Sequence, residues 1–180
     1  MYPSRHARGA RLTSGLALPL YQVRRVIVAG LAGLLVCAAL PVLFGWTVTV
    51  VVSGSMTPAL RVGDVVATAP VSPAEVPRLP VGTIVLVSDP AHPGQLLIHR
   101  LVGFNPDGTL ITKGDANAVR DGRPVPPSGV RGVAKLRIPL LGMPRLWVME
   151  GRVLPLLALG ILVLALLAPG RHRLADSRDG

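Results

Sequence analysis

Thr47-Val48-Thr49-Val50-Val51-Val52, running straight into Ser53-Gly54-Ser55-Met56-Thr57-Pro58, marks the point where this chain changes character. Upstream is an uncharged apolar run. Here β-branched residues alternate as they do in a strand, and two serines flank a glycine where that strand gives out. A hydroxyl in such a position stands at a sheet edge, and Gly54 lets another backbone come close. That arrangement suits a nucleophile, although the hexapeptide by itself also reads as a polar loop between strands.

Residues 47–146 keep the same texture, with short apolar stretches broken by Gly, Pro and Asp. Strands are predicted over 47–52, 64–68, 82–88, 95–104, 109–113 and 130–138, a spacing that leaves no room for alternating helices. Asn105-Pro106-Asp107-Gly108 reads as a hairpin turn, 70–80 as a proline-rich connection and 122–129 as an irregular loop. No internal repeat is visible. The expected fold class is a mainly β domain flanked by two transmembrane α-helices.

Residues 26–60 carry no charge, and 26–46 has the roughly 20 apolar residues that a bilayer crossing needs, with Trp46 suited to the interface. Pro41 and Gly45 sit near its far end, where a break is tolerated. A cleavable signal peptide would turn polar, with small residues, before its cut site, whereas apolar residues run on from Val36 to Phe44, so the segment reads as a retained anchor. Leu34-Leu35-Val36-Cys37 is a poor lipoprotein box, because the residue before the cysteine is not small, and Arg24-Arg25 is a weak twin-arginine signal. A second apolar run, 153–168, has sixteen residues and must recruit 146–151 or sit in a thinned bilayer in order to span. It shows no polar face of the kind a surface helix needs. Arg5, Arg8, Arg11, Arg24 and Arg25 precede the first run and Arg171, Arg173 and Arg178 follow the second, which predicts cytoplasmic tails at both ends. The expected organisation is therefore a basic tail (1–25), an anchor (26–46), an extracytoplasmic β-rich domain (47–146), a second membrane helix (147–169) and a short tail (170–180). The corresponding location is the plasma membrane, as a multi-pass protein.

The net charge of +10 would ordinarily raise nucleic-acid binding, but aromatic residues are only 3% of the chain and cannot supply a base-stacking surface. The tails supply more than half of that charge. Cys37 is the sole cysteine and lies inside an apolar run, so no disulfide framework is expected. His6, His92, His99 and His172 are too scattered for a zinc cluster, and neither metal nor organic cofactor is expected.

Ser55 needs a base, since a hydroxyl at its free pKa is a poor nucleophile. The outer domain offers His92, His99, Lys113 and Lys135. His92 falls in the turn Ala91-His92-Pro93-Gly94. His99 falls in Leu96-Leu97-Ile98-His99-Arg100-Leu101-Val102, whose apolar neighbours put an imidazole within a largely buried strand, where it serves equally as a core histidine bonded to a carbonyl. Arg100 beside it points to the opposite face. The loop Gly114-Asp115-Ala116-Asn117-Ala118-Val119-Arg120-Asp121 brings two carboxylates, either of which could orient an imidazole, or could serve in an Asx-type turn. Asp64 reads as a turn acid. Residue logic thus reaches a serine hydrolase with a Ser-His-Asp set.

In order and spacing, Ser53-Gly54-Ser55-Met56-Thr57-Pro58 with Gly63-Asp64, then Ile98-His99-Arg100, then Gly114-Asp115-Ala116-Asn117 and Asp121, resemble the boxes of signal peptidase I, in the branch found in archaea, the endoplasmic reticulum and some Gram-positive bacteria. The resemblance covers roughly residues 26 to 145. It implies a membrane-bound serine endopeptidase with a mostly β catalytic domain. Its implied substrates are signal-peptide-bearing preproteins, and its partners are the lipid bilayer and the protein export machinery, with no nucleic acid. By resemblance Ser55 matches the nucleophile, His99 the histidine that replaces the general-base lysine of the common bacterial branch, and Asp121 its partner. Asp115 matches a second, supporting aspartate of the same loop. Ser53 matches an oxyanion-hole position, working with the Ser55 N–H. Ala116 departs from the family's GDNN pattern, which bears on a local loop contact.

Lys113 is the alternative base, disfavoured by its neighbour Asp115, which would hold it charged. A histidine base predicts activity that falls as pH drops through about 6.5. From Trp46 to Ser55 is nine residues, at most about 30 Å of chain, so the nucleophile stays near the outer membrane face. A substrate strand is expected to pair with an exposed sheet edge, with shallow Val- and Leu-lined pockets accepting small residues. Two other readings are a membrane-tethered β scaffold without catalysis and a self-processing peptidase of the repressor type.

Overall fold

A computed structural model describes residues 9–168. Residues 34–153 form one compact unit, and the helical segments on either side of it form a second. α1 (Gly9–Leu43), whose residues 34–43 belong to the first unit, contains Tyr21–Leu43, a 23-residue stretch long and apolar enough to cross a bilayer. The helix starts well before residue 26, because Ala, Leu and Arg, all good helix formers, dominate the stretch that charge alone assigns to a tail. Residues 1–8 of that tail, with His6, and all of 169–180, with His172, lie outside the described residues. α1 ends through Gly45, whose φ of 73° turns the chain while Phe44 N–H and Trp46 N–H both donate to Pro41 O.

α3 (Val153–Leu167) has 15 residues and rises about 22 Å, short of a hydrocarbon core of about 30 Å. It does not take in 146–151. Met143–Met149 instead form a separate helix, α2, whose Leu146 is buried in the β unit, and Gly151, at φ 66°, interrupts the chain before α3. The second apolar segment is therefore shorter than a full span.

Within residues 34–153, six strands form one antiparallel sheet in the order β1-β2-β6-β3-β4-β5. They are β1 (Thr47–Val50), β2 (Val65–Ala69), β3 (Ile84–Ser88), β4 (Leu96–Phe104), β5 (Leu110–Lys113) and β6 (Val130–Ile138). Each lies within one or two residues of its expected position. β4 and β5 form the anticipated hairpin, closed by Asn105 N–H to Thr109 O (2.9 Å) and Gly108 N–H to Asn105 O (2.9 Å).

Both faces of this sheet are covered, as the near-continuous apolar strands require. Val85 and Val87 of β3 and Leu101 of β4 pack with Val76, Leu110, Val125, Val130 and Val133. Val66 packs with Val51, Met56 and Leu60, against Ile84 and Ile98. Burying Met56 contributes roughly 2 kcal/mol and pins the segment after β1 to the sheet.

Candidate active site

Beyond β1 the chain leaves the sheet and returns, and polar contacts hold both ends of that excursion. Val51 N–H donates to Asp64 O, and Gly63 N–H to Val51 O, each at 2.9 Å. The buried Asp64 carboxylate accepts Arg61 N–H (2.8 Å) and Arg137 Nε–H (2.6 Å). Asp64 is thus the turn acid its position suggested, and also half of an ion pair that ties the loop to β6. Inside the loop Met56 is 1% exposed, so Ser55, half-buried, is the residue just before an apolar anchor.

His99 lies on β4 opposite Val85 of β3, on the face shared with Leu101, and is 4% exposed. Its Nε2 is 3.2 Å from Ser55 Oγ, and its Nδ1 is 2.6 Å from Asp121 Oδ2. A carboxylate only accepts, so Nδ1 carries the proton and Nε2 is left to accept from the serine hydroxyl. Asp121 Oδ2 also accepts from Thr112 Oγ1 (2.6 Å), and the Asp121 backbone N–H donates to Thr112 O (2.8 Å). These contacts lock the carboxylate against the imidazole. Ser53 Oγ is 3.2 Å from Ser55 Oγ.

Asp115 takes the other side of the strand. Arg100, next after His99, binds it with two bonds, Nε to Oδ1 (2.7 Å) and Nη2 to Oδ2 (2.6 Å), and its third arm donates to Gly82 O (2.7 Å). The guanidinium holds the Asp115 carboxyl below the usual carboxylate range, and Asp115 in turn raises Arg100. Ala116 N–H donates to Ser55 O (2.8 Å), so the loop that Arg100 clamps supports the backbone of the serine. That bond uses main chain alone, which is why alanine serves there. Gly114 makes the approach feasible: a Cβ on it would sit 2.7 Å from Ser55 O.

Lys113 is the cross-strand partner of Arg100 and therefore shares its face, away from the imidazole. Lys135 lines a hollow of about 740 Å³ with Val71, Leu79 and Ile84, which contains neither Ser55 nor His99. His92 pairs with Asp89, Nδ1 to Oδ2 at 2.9 Å.

Ser55 opens onto a cleft of about 340 Å³ whose walls include Thr49–Ser53 on one side and Gln95–Ile98 on the other. Among the described residues, both walls have unused backbone edges. β1 ends the sheet, and β5 pairs with β4 only as far as Arg100, which leaves 96–99 without a neighbour on that side. The site thus combines a hydroxyl within hydrogen-bond reach of an oriented imidazole with a cleft that opens beside it.

Thr112 and Arg137 escaped the residue-by-residue reading, and Arg100 and Gly114 were placed there without the contacts they make. Alternation along β4 already separated Arg100 from His99, but nothing local tells which aspartate each would meet.

The family model described as "Signal peptidase, peptidase S26" matches residues 23–136, from within α1 into β6. No curated protein matches the chain.

Proposed function

This chain belongs to the signal peptidase family, peptidase S26, and from that premise we propose that it is a membrane-anchored serine endopeptidase of the Ser-His branch, removing signal peptides from exported preproteins. The observation that carries the reading is the unbroken line Ser55 Oγ, His99 Nε2, His99 Nδ1 and Asp121 Oδ2, with steps of 3.2 and 2.6 Å on either side of the ring. Ser55 attacks the scissile carbonyl as His99 takes its proton. The imidazolium, stabilised by Asp121, passes that proton to the leaving amine as the C–N bond breaks. Water, activated by the same base, then releases the acyl group from Ser55. Ser53 Oγ and the Ser55 N–H are the donors for the oxyanion. Asp115 acts through Arg100 and the Ser55 backbone. Lys113 has no part in proton transfer.

Tyr21–Leu43 is the anchor, and Ser55 follows its end by twelve residues, which keeps the nucleophile within about 40 Å of chain from the helix. The domain works on the extracytoplasmic face of the plasma membrane, where export machinery delivers preproteins. A second crossing by α3, at 15 residues, requires a thinned bilayer, and protease accessibility of a C-terminal tag in sealed vesicles tests it. The substrate enters as an added strand between the two free edges, with small residues next to the cut fitting between the Val and Leu side chains.

Purified wild type, Ser55→Ala and His99→Ala in detergent, mixed with a preprotein, test the reading. Cleavage at the signal-peptide junction by wild type, with both variants slower by about 10⁴-fold or more, is expected. Equal processing by all three would overturn the enzyme reading, and failure of wild type to cut would favour a scaffold.

A further inference from the structure

The substrate cleft is apolar along most of its length, with Val50, Val52, Leu96 and Ile98 in its walls, but Asp89 and His92 also line it. We propose that this pair is a specificity determinant that meets the substrate about five residues before the scissile bond and rejects preproteins whose apolar helix continues that close to the cut. The inference rests on the peptidase reading and adds to it a rule for substrate choice.

The pair is held in position. Asp89 N–H donates to Gln95 O (2.9 Å), Ala91 N–H to Asp89 Oδ1 (2.8 Å) and Gln95 N–H to His92 O (3.1 Å), so the turn between β3 and β4 is fixed by its own hydrogen bonds. Ser88 pairs with Leu96, which sets the turn at the level of Gln95, four residues or about 13 Å along β4 from His99. The Asp89 side chain is 14% exposed and that of His92 66%, so the carboxylate is largely covered while the ring, which also lines the cleft, stays open to an incoming strand. The His92 bond holds the Asp89 carboxyl below its usual range, which keeps the enclosed partner charged.

Direction follows from the sheet. Thr47 lines one hollow with Ser88, Gly94, Gln95 and Leu96, so the turn lies at the Thr47 end of β1. Each neighbouring pair from β1 to β4 is antiparallel through β2, β6 and β3, so β1 and β4 run the same way, from that end toward Ser55 and His99. Thr47 follows the end of α1 at Leu43 by four residues. A substrate with its apolar helix in the bilayer and its cut beyond that helix enters at the Thr47 end and passes Asp89–His92 before reaching the serine. A leucine stopped there strips water from the Asp89 carboxylate and the His92 ring and returns no hydrogen bond, whereas Ser, Asn or Gln does return one. The apolar walls elsewhere make no such distinction.

The test uses the full-length protein in detergent and a preprotein in two forms, with glutamine or leucine as the fifth residue before the cut. The readout is the ratio of kcat/KM for the two within each variant, which is insensitive to the amount of folded enzyme. Wild type should favour glutamine by about tenfold, and His92→Leu should bring the ratio to about one. Asp89→Asn, which keeps an oxygen for the Ala91 N–H, should also lower it. Asp89 lines a second hollow with Thr112 and Asp121, so its absolute rate carries less information than the ratio. An unchanged ratio in both variants overturns the determinant while leaving the peptidase reading intact. Cleavage that Ser55→Ala does not diminish overturns both.

Discussion

Two aspartates six residues apart in one loop do different work on opposite sides of β4. Asp121 meets a nearly buried imidazole that in turn reaches Ser55, and Thr112 takes the remaining approach to the same carboxylate oxygen. Asp115 meets a guanidinium that also grips Gly82 O, and its link to the serine runs through backbone. In the proposed mechanism the first side moves a proton, and the second holds the backbone around it still. One strand with alternating side chains supplies both, because His99 and Arg100 necessarily face apart.

The largest effect that separates the two sides is expected from Asp121→Asn. It preserves shape but lets the imidazole take the wrong tautomer, so kcat should fall by about 10³–10⁴-fold with an unchanged melting temperature. A comparable fall in Asp115→Asn at full stability would erase the distinction. Next in size is Gly114→Ala. The added methyl meets a main-chain oxygen at 2.7 Å, so Ser55 must shift, and about 10²-fold of kcat should be lost while KM changes little, as kinetics on a short peptide would reveal.

Asp115→Ala should act first on stability, by about 2 kcal/mol in urea unfolding, because it leaves Arg100 partly buried without its partner. The same pair sets an acid limit. Asp115 has a folded pKa depressed by Arg100, so its contribution is fully present above the ordinary aspartate value and is lost as pH falls through the lower folded value. Wild type should therefore lose stability more steeply than Asp115→Asn in acid denaturation below about pH 4. Equal slopes would remove Asp115 from the scaffold. The smallest effect belongs to Lys113→Ala, expected within about twofold of wild-type activity, since the lysine shares the face of Arg100. A loss comparable to that of His99→Ala would move the general base to the other side of the strand.

Much of this arrangement is legible in the sequence. The six strands follow from β-branched alternation punctuated by Gly, Pro and Asp, and the hairpin from Asn105-Pro106-Asp107-Gly108, because these are local preferences. Ser53, Ser55, His99 and both aspartates stood out by residue type and order. Helix limits were less legible. α1 reaches back to Gly9 through residues whose charge suggested a tail, and Trp147–Met149 read as membrane-bound, whereas α2 packs over Gly63 in the β unit. Apolar content does not tell which partner a segment will be buried against.

Sequence alone therefore determined the strands, an apolar segment long enough to be an anchor, and the short list of groups able to do chemistry, all of which depend on neighbours in the chain. Tertiary structure decided how that list was divided. Ser55 and His99 are 44 residues apart, and His99 and Asp121 are 22 apart. Whether His99 met Asp115 or Asp121 was set by where β5 stops pairing and where Gly114 lets the loop close on Ser55. Those are facts of packing between distant segments, and no local preference encodes them.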